Sequence, residues 1–226
     1  MVLVPELSLM QPEAGAAYLQ RVFGFALQDG VLQLGSQAVI VSQADSPQPQ
    51  GRIDHIALAV PDIDGALARM IGNGAALDAN VTPQGVQSIA EFWDDGIRYV
   101  YLSGPEGARI ELCQRNTGPV ASIGHDHIGI PCRDIDLMEA FLRAQGATPI
   151  AEVELVRKGG TIPVRFLAFV GGMVELYCPV EADRPVRGLW SRLHIDGLAE
   201  RVAGPDGLIL APLWPKGKLP SGRFGR

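Results

Sequence analysis

Four side chains of this 226-residue sequence have the types and positions to hold one metal ion: His55, Glu111, His127 and Glu175. Each histidine heads a short apolar run, Asp54-His55-Ile56-Ala57-Leu58-Ala59-Val60-Pro61-Asp62-Ile63-Asp64 and Asp126-His127-Ile128-Gly129-Ile130-Pro131-Cys132-Arg133-Asp134-Ile135-Asp136. Each glutamate lies within a later run, Arg109-Ile110-Glu111-Leu112-Cys113 and Met173-Val174-Glu175-Leu176-Tyr177. Two imidazoles and two carboxylates in duplicated positions point to a metal site between two half-barrels. They would leave a divalent cation electrically neutral, and mixed nitrogen and oxygen ligation suits Zn, Ni, Co, Mn or Fe better than Ca. With open positions, such an ion would act as a Lewis acid on a substrate that chelates through neighbouring oxygens.

The elements that must position these residues follow from the repeat, which has to be recognised before any fold is assigned. In the first copy Ile53 to Val60 reads as a strand and Asp62 to Gly72 as a helix. Runs near Ala76 to Thr82, Ser88 to Trp93, Arg98 to Leu102 and Arg109 to Gln114 read as extended. Asp62 and Asp64 stand where a helix N-cap and a first-turn acid belong, and Gly72 and Gly74 where the helix should stop. The second copy repeats this with Asp134 and Asp136, a helix body Leu137 to Ala144, and Gly146. Each unit has the pattern of a βαβββ module. Successive strand side chains point to opposite faces. Ile56, Leu58, Ile110, Leu112, Ile128, Ile130, Val174 and Leu176 therefore form an aliphatic face for the helices, while His55, Glu111, His127, Glu175 and Tyr177 line a concave cleft.

These residues resemble the vicinal oxygen chelate superfamily, which includes glyoxalase I, methylmalonyl-CoA epimerase, extradiol dioxygenases, fosfomycin-resistance enzymes and bleomycin-binding proteins. The resemblance spans residues 53 to 180, through the Asp-His-Ile-Ala-Leu-Ala-Val-Pro-Asp start, the Gly-Pro-Glu-Gly-Ala-Arg-Ile-Glu-Leu ending and their counterparts. It implies an α+β fold of repeated βαβββ modules forming open, cupped mixed β-sheets (half-barrels) with helices on the outside. It also implies a divalent metal held by His55, Glu111, His127 and Glu175, with Glu175 or Glu111 as the base that takes a proton alpha to a carbonyl. The activity implied is that of a glyoxalase-like lyase or isomerase working through a metal-stabilised enolate. An extradiol-type Fe(II) dioxygenase and a metal-free ligand- or antibiotic-sequestering protein are the alternatives. A small-molecule substrate and a homodimer complete what the resemblance implies.

Four units are expected: a shortened βαββ module over 1–45, full modules over 52–116 and 124–181, and a truncated remnant with a tail over 187–226. The first unit reads as a strand Pro5 to Met10, a helix Glu13 to Val22 and a hairpin Gly30 to Ser42. It carries Glu6 where the others have His and Ile40 where they have Glu. The last opens with Leu193-His194-Ile195 and closes with Leu208 to Ala211, without a carboxylate. If the full modules pair with each other, the site is the four-residue set. If modules pair in chain order, one barrel offers Glu6, His55 and Glu111, the other His127, Glu175 and His194. Arg109, Arg165 and Tyr177 are candidates to contact an acidic substrate, against the plainer reading of barrel lining. His125 reads as a neighbour of the site or a solvent residue, and Trp93, Tyr99 and Tyr101 as core.

A net charge of −6 argues against nucleic acid or an anionic membrane as partner, and 47% apolar residues can fill a substantial core. No apolar run approaches the length of a membrane span and no secretory leader is evident. Cys113, Cys132 and Cys178 lack metal-type spacing and read as reduced thiols of a cytoplasmic protein. Gly159-Gly160 and Gly171-Gly172 read as hairpin turns rather than phosphate loops.

Overall fold

A computed structural model describes residues 3–118, 120–179 and 184–213; the expected tail beyond 213 lies outside them. The first unit contains β1 (Leu3–Leu9), α1 (Pro12–Tyr18), β2 (Ala26–Gln28), β3 (Val31–Leu34) and β4 (Gln37–Gln43). The expected longer helix is realised as α1 continued by a π-helical turn, Leu19–Phe23, which ends at Gly24 in the left-handed conformation. The second unit contains β5 (His55–Ala59), α2 (Ile63–Gly72), β6 (Ala76–Leu77), β7 (Gln87–Ile89), β8 (Ile97–Ser103) and β9 (Arg109–Arg115). The third contains β10 (Gly124–Pro131), α3 (Ile135–Ala144), β11 (Thr148–Arg157), β12 (Gly160–Phe169) and β13 (Gly172–Tyr177). The fourth contains β14 (Trp190–Ile195), β15 (Val202–Ala203) and β16 (Ile209–Pro212).

Both full-module helices begin as their sequences dictate. The carboxylate of Asp62 accepts from the backbone N–H of Gly65 at 3.2 Å, and that of Asp134 from Leu137 at 2.9 Å. Each satisfies a donor the first helical turn would otherwise leave unpaired. Extended structure after α2 stops earlier than expected, at Leu77. The Asp78 side chain turns the chain there by accepting from the backbone N–H of Asn80 and the guanidinium of Arg109.

Two mixed sheets result. The larger runs β11-β12-β13-β10-β5-β9-β8-β6, with β7 also on β8; the smaller runs β15-β16-β14-β1-β4-β3-β2. The two full modules therefore pair with each other, and the two terminal units likewise. At the centre of the larger sheet β5 and β10 are antiparallel, flanked by β9 and β13 in parallel. The smaller sheet repeats this with β1 and β14 flanked by β4 and β16. The aliphatic face is as the alternation requires: Ile56, Leu58, Ile110, Leu112, Ile128, Ile130, Val174 and Leu176 are all fully buried. They share one core with Met70 of α2, Met138 and Leu142 of α3, and Leu7 and Leu193 of the smaller sheet. At about 1.5–3 kcal/mol for each large aliphatic chain removed from water, this shared core accounts for much of the stability of both cups. Among the described residues, no helix is long and apolar enough to cross a membrane.

Candidate metal centre

The pairing of β5 with β10 places Gly129 opposite His55 and Ala57 opposite His127. Small residues at those two positions let each imidazole lie across the neighbouring strand. A Cβ on Gly129 would collide with the His55 ring. Parallel register then sets Glu175 beside Gly129 and Glu111 beside Ala57, so the four candidate ligands converge by a local twofold logic.

The distances follow from this register. The two Nε2 atoms lie 3.2 Å apart, and Glu111 Oε2 lies 3.1 Å from His55 Nε2 and 3.4 Å from His127 Nε2. Glu175 Oε2 lies 3.8 and 3.4 Å from the same two nitrogens. Donor atoms of His55, Glu111 and His127 all fall within 4.8 Å of one another. Each ring is fixed from behind by the preceding residue: His55 Nδ1 pairs with Asp54 Oδ2 at 3.0 Å, His127 Nδ1 with Asp126 Oδ1 at 2.9 Å. Nδ1–H donation to a carboxylate leaves Nε2 as a lone pair aimed at the common point, an arrangement typical of metal-bound histidine. Two lone pairs 3.2 Å apart repel unless a cation or proton lies between them. The donor set and its backing fit a divalent transition-metal ion.

Without a metal, protons supply that charge. Burial disfavours imidazolium at His55, but hydrogen bonds to Asp54 and Glu111 raise its pKa to about 9. His127 is likewise driven well above its ordinary value: the charge of Glu175 and hydrogen bonds to Asp126 and Glu111 outweigh burial. Burial would raise Glu111, yet its hydrogen bonds to His127 and His55 hold it down at about 2. A metal ion replaces those protons, because both ligand types bind it deprotonated.

Glu111, His127 and Glu175 open onto a cavity of about 440 Å³ that Asp54, Tyr99, Tyr101, Arg109, Tyr177 and Arg184 also line, with His55 directly behind them. Its far wall is apolar, from Phe92, Leu155, Ile162 and Val164. Asp54 joins the machinery by pairing with Arg109 Nη1 at 2.7 Å and with Arg184 while it holds His55. Arg109 is further committed to Asp78 at 3.0 Å. Tyr101 directs its hydroxyl at His55 Nε2, 3.3 Å away, and burial keeps that phenol protonated. Tyr99 and Tyr101 thus belong to the cavity rather than to the core. Trp93 stacks beneath the guanidinium of Arg115, 4.1 Å from ring to Cζ.

Of the candidates for substrate contact, Arg109 and Tyr177 line the cavity and Arg165 does not. Arg165 pairs in register with Leu176 of the aliphatic face, and its guanidinium is held by Asp136, Glu139 and Glu152 on the α3 side. His125 is set apart from His127 by a register shift, and hydrogen-bonds Gln37 and the backbone of Met173. Glu6 and His194 pair with each other at 2.6 Å in the smaller sheet, away from the candidate centre. Register there makes Val4, Ile40, Arg192 and Ala211 the counterparts of His55, Glu111, His127 and Glu175. Glu6 and His194 are each displaced two residues from a ligand position. Asp54, Asp126 and Arg184 are the residues that ligand spacing overlooked. A duplicated Asp-His dipeptide marks the first two, whereas nothing local marks Arg184.

The cupped architecture with this pseudo-symmetric pairing is the vicinal oxygen chelate fold. Glyoxalase I from Zea mays superimposes with a TM-score of 0.66 at 13% identity over 93% of this chain and 92% of that one. A point mutant of the same maize enzyme gives 0.70 at 11% over 93% and 92%. A putative dioxygenase from Bacillus subtilis gives 0.52 at 14% over 84% and 68%. No family profile matches the chain, and no curated protein matches it in sequence.

Proposed function

We propose that the chain is a metal-dependent enzyme, a glyoxalase-like lyase or isomerase that moves a proton on a small oxygenated substrate. The observation that carries this is the convergence of two Asp-backed imidazoles and two carboxylates at the floor of a cavity. His55, Glu111, His127 and Glu175 would hold the ion, which when bound supplies Lewis acidity to an enolate oxygen. Glu175 is the better base. Its side chain is 10% exposed against 4% for Glu111, so it faces the cavity and has room to leave the cluster. Its carboxylate takes the proton from the hydroxyl-bearing carbon alpha to a carbonyl and returns it to the former carbonyl carbon, while the hydroxyl proton passes to the former carbonyl oxygen, so the isomerisation balances without a redox partner. The protonated hydroxyl of Tyr101 is placed to donate to a substrate oxygen. The Asp54 network holds both cavity arginines, so the apolar wall of Phe92, Leu155, Ile162 and Val164 selects an apolar tail. We take the enzyme to be a homodimer, as the resemblance implies, and cytoplasmic, on the reading of Cys113, Cys132 and Cys178 as reduced thiols.

A second reading has its own support: His55, Glu111 and His127 alone form the two-histidine, one-carboxylate set of non-haem Fe(II) oxygenases. Elemental analysis separates the readings. Zn, Ni, Co or Mn at one ion per chain, lost in His127→Ala, fits proton transfer, and Fe fits ring cleavage. The Glu175→Gln chain should keep its metal yet exchange deuterium into an aryl α-hydroxyketone at least about a hundredfold more slowly. No metal in the purified or reconstituted chain refutes both enzyme readings and leaves a metal-free sequestering protein.

A further inference from the structure

The smaller cup keeps the strand arrangement of the larger but has exchanged its ligand positions for Val4, Ile40, Arg192 and Ala211. Val4, Ala38 and Ile40 form an apolar bed on that face. At the other end of β1 and β4, around Ser8 and Gln43, lies a separate cavity of about 420 Å³, within the range of small-ligand sites. Its lining is of a different kind, with Arg187, Arg192 and Arg201 converging alongside Ser8, Ser191 and Gln43. Arg192 gives its Nε to Glu6 at 3.2 Å. Arg187 and Arg201 make no hydrogen bond or ion pair with another described residue. By contrast Arg98, Arg109, Arg143, Arg157, Arg165 and Arg184 all have carboxylate partners. Asp45 is the one acid among the described lining residues.

We propose that this cavity is a second ligand site, which takes the phosphoryl group of a small molecule through Arg187, Arg192 and Arg201. Guanidinium forks match the geometry of phosphoryl oxygens and bind them by charge-assisted hydrogen bonds. Two guanidiniums without a partner among the described residues, plus the outer nitrogens of a third, favour a dianion over a monocarboxylate. The hydroxyl of Ser8 can serve a remaining acceptor, whereas the Gln43 amide and the Ser191 hydroxyl are already given to backbone carbonyls. Where the larger cup places His127 for a cation, the smaller one carries its positive charge covalently, on Arg192.

Calorimetric titration of the full chain with inorganic phosphate, glycerol 3-phosphate and succinate tests this. One equivalent of glycerol 3-phosphate should bind, and Arg187→Ser and Arg201→Ser should each weaken it about tenfold, the loss of one charge-assisted contact. Both residues are exposed, so neither change threatens folding, and metal content should be unaltered. Binding of inorganic phosphate with the same arginine dependence also supports the site. Three results would overturn it: no heat with either phosphoryl probe at millimolar concentration, affinity undiminished in the double variant, or succinate binding more tightly than glycerol 3-phosphate.

Discussion

Asp54 is a junction between the stability of the larger cup and its metal affinity, and Asp54→Asn separates the two. The carboxylate is 4% exposed and faces three partners: His55 Nδ1 at 3.0 Å, Arg109 Nη1 at 2.7 Å, and Arg184. An amide of the same shape can still accept from the imidazole but no longer neutralises two guanidiniums, whose side chains are 15% and 21% exposed. Removing one partner of a buried pair costs about 3–5 kcal/mol; partial exposure, and the second contact of Arg109 with Asp78, put this case near about 3. In a chain of this size that lowers the thermal midpoint by about 6–12 °C. Asp126→Asn provides the contrast. Its cationic neighbour Arg115 lies 3.5 Å away, is 31% exposed and also rests on Trp93, so the cost should be about 1 kcal/mol or less. Both variants lose the carboxylate behind a ligating ring, and both should weaken metal binding about 10–100-fold. Differential scanning calorimetry on the metal-free chains and competition titration with a chromophoric chelator give the two quantities. Equal drops in midpoint would refute the hub role of Asp54, and unchanged metal affinity in both would refute the backing role of these acids.

His55→Ala and His127→Ala should each abolish stoichiometric metal binding. His194→Ala should leave it intact while destabilising the smaller cup, since Glu6 loses its 2.6 Å partner; metal retention in either of the first two would contradict the four-ligand arrangement. Gly129→Ala should cost metal affinity without touching a ligand, because the new methyl displaces the His55 ring; unchanged affinity would show that the ring can move freely. The metal-free chain should be most stable near pH 6.5. His55, raised to about 9, contributes stability that is complete below 6.5 and is lost as pH rises through 9. Glu111, lowered to about 2, contributes stability present above 4.5 and lost towards 2. Burial depresses His125 to about 4, so its contribution is lost as pH falls from 6.5 through 4. A thermal midpoint that climbs steadily to pH 9 would contradict the His55 assignment.

The amino-acid sequence by itself determined the parts that depend on short-range rules. Aspartate caps, helix stops and strand alternation act over a few residues, so Asp62, Asp134 and the cleft-facing positions of His55, Glu111, His127 and Glu175 were legible. Duplication made the ligand pattern recognisable. Tertiary structure decided what depends on register between distant strands. The pairing of β5 with β10, rather than with a terminal unit, is fixed by a shared core contributed by both modules, and no local pattern encodes it. Register also left Glu6 and His194 two residues from the ligand positions. It turned Arg165 towards the acids around α3, although its residue type suited the cavity equally well. Arg184 reaches Asp54 across 130 residues of sequence. Such a contact is specified only once the chain has closed, because burial and charge pairing select among arginines that the sequence alone leaves equivalent.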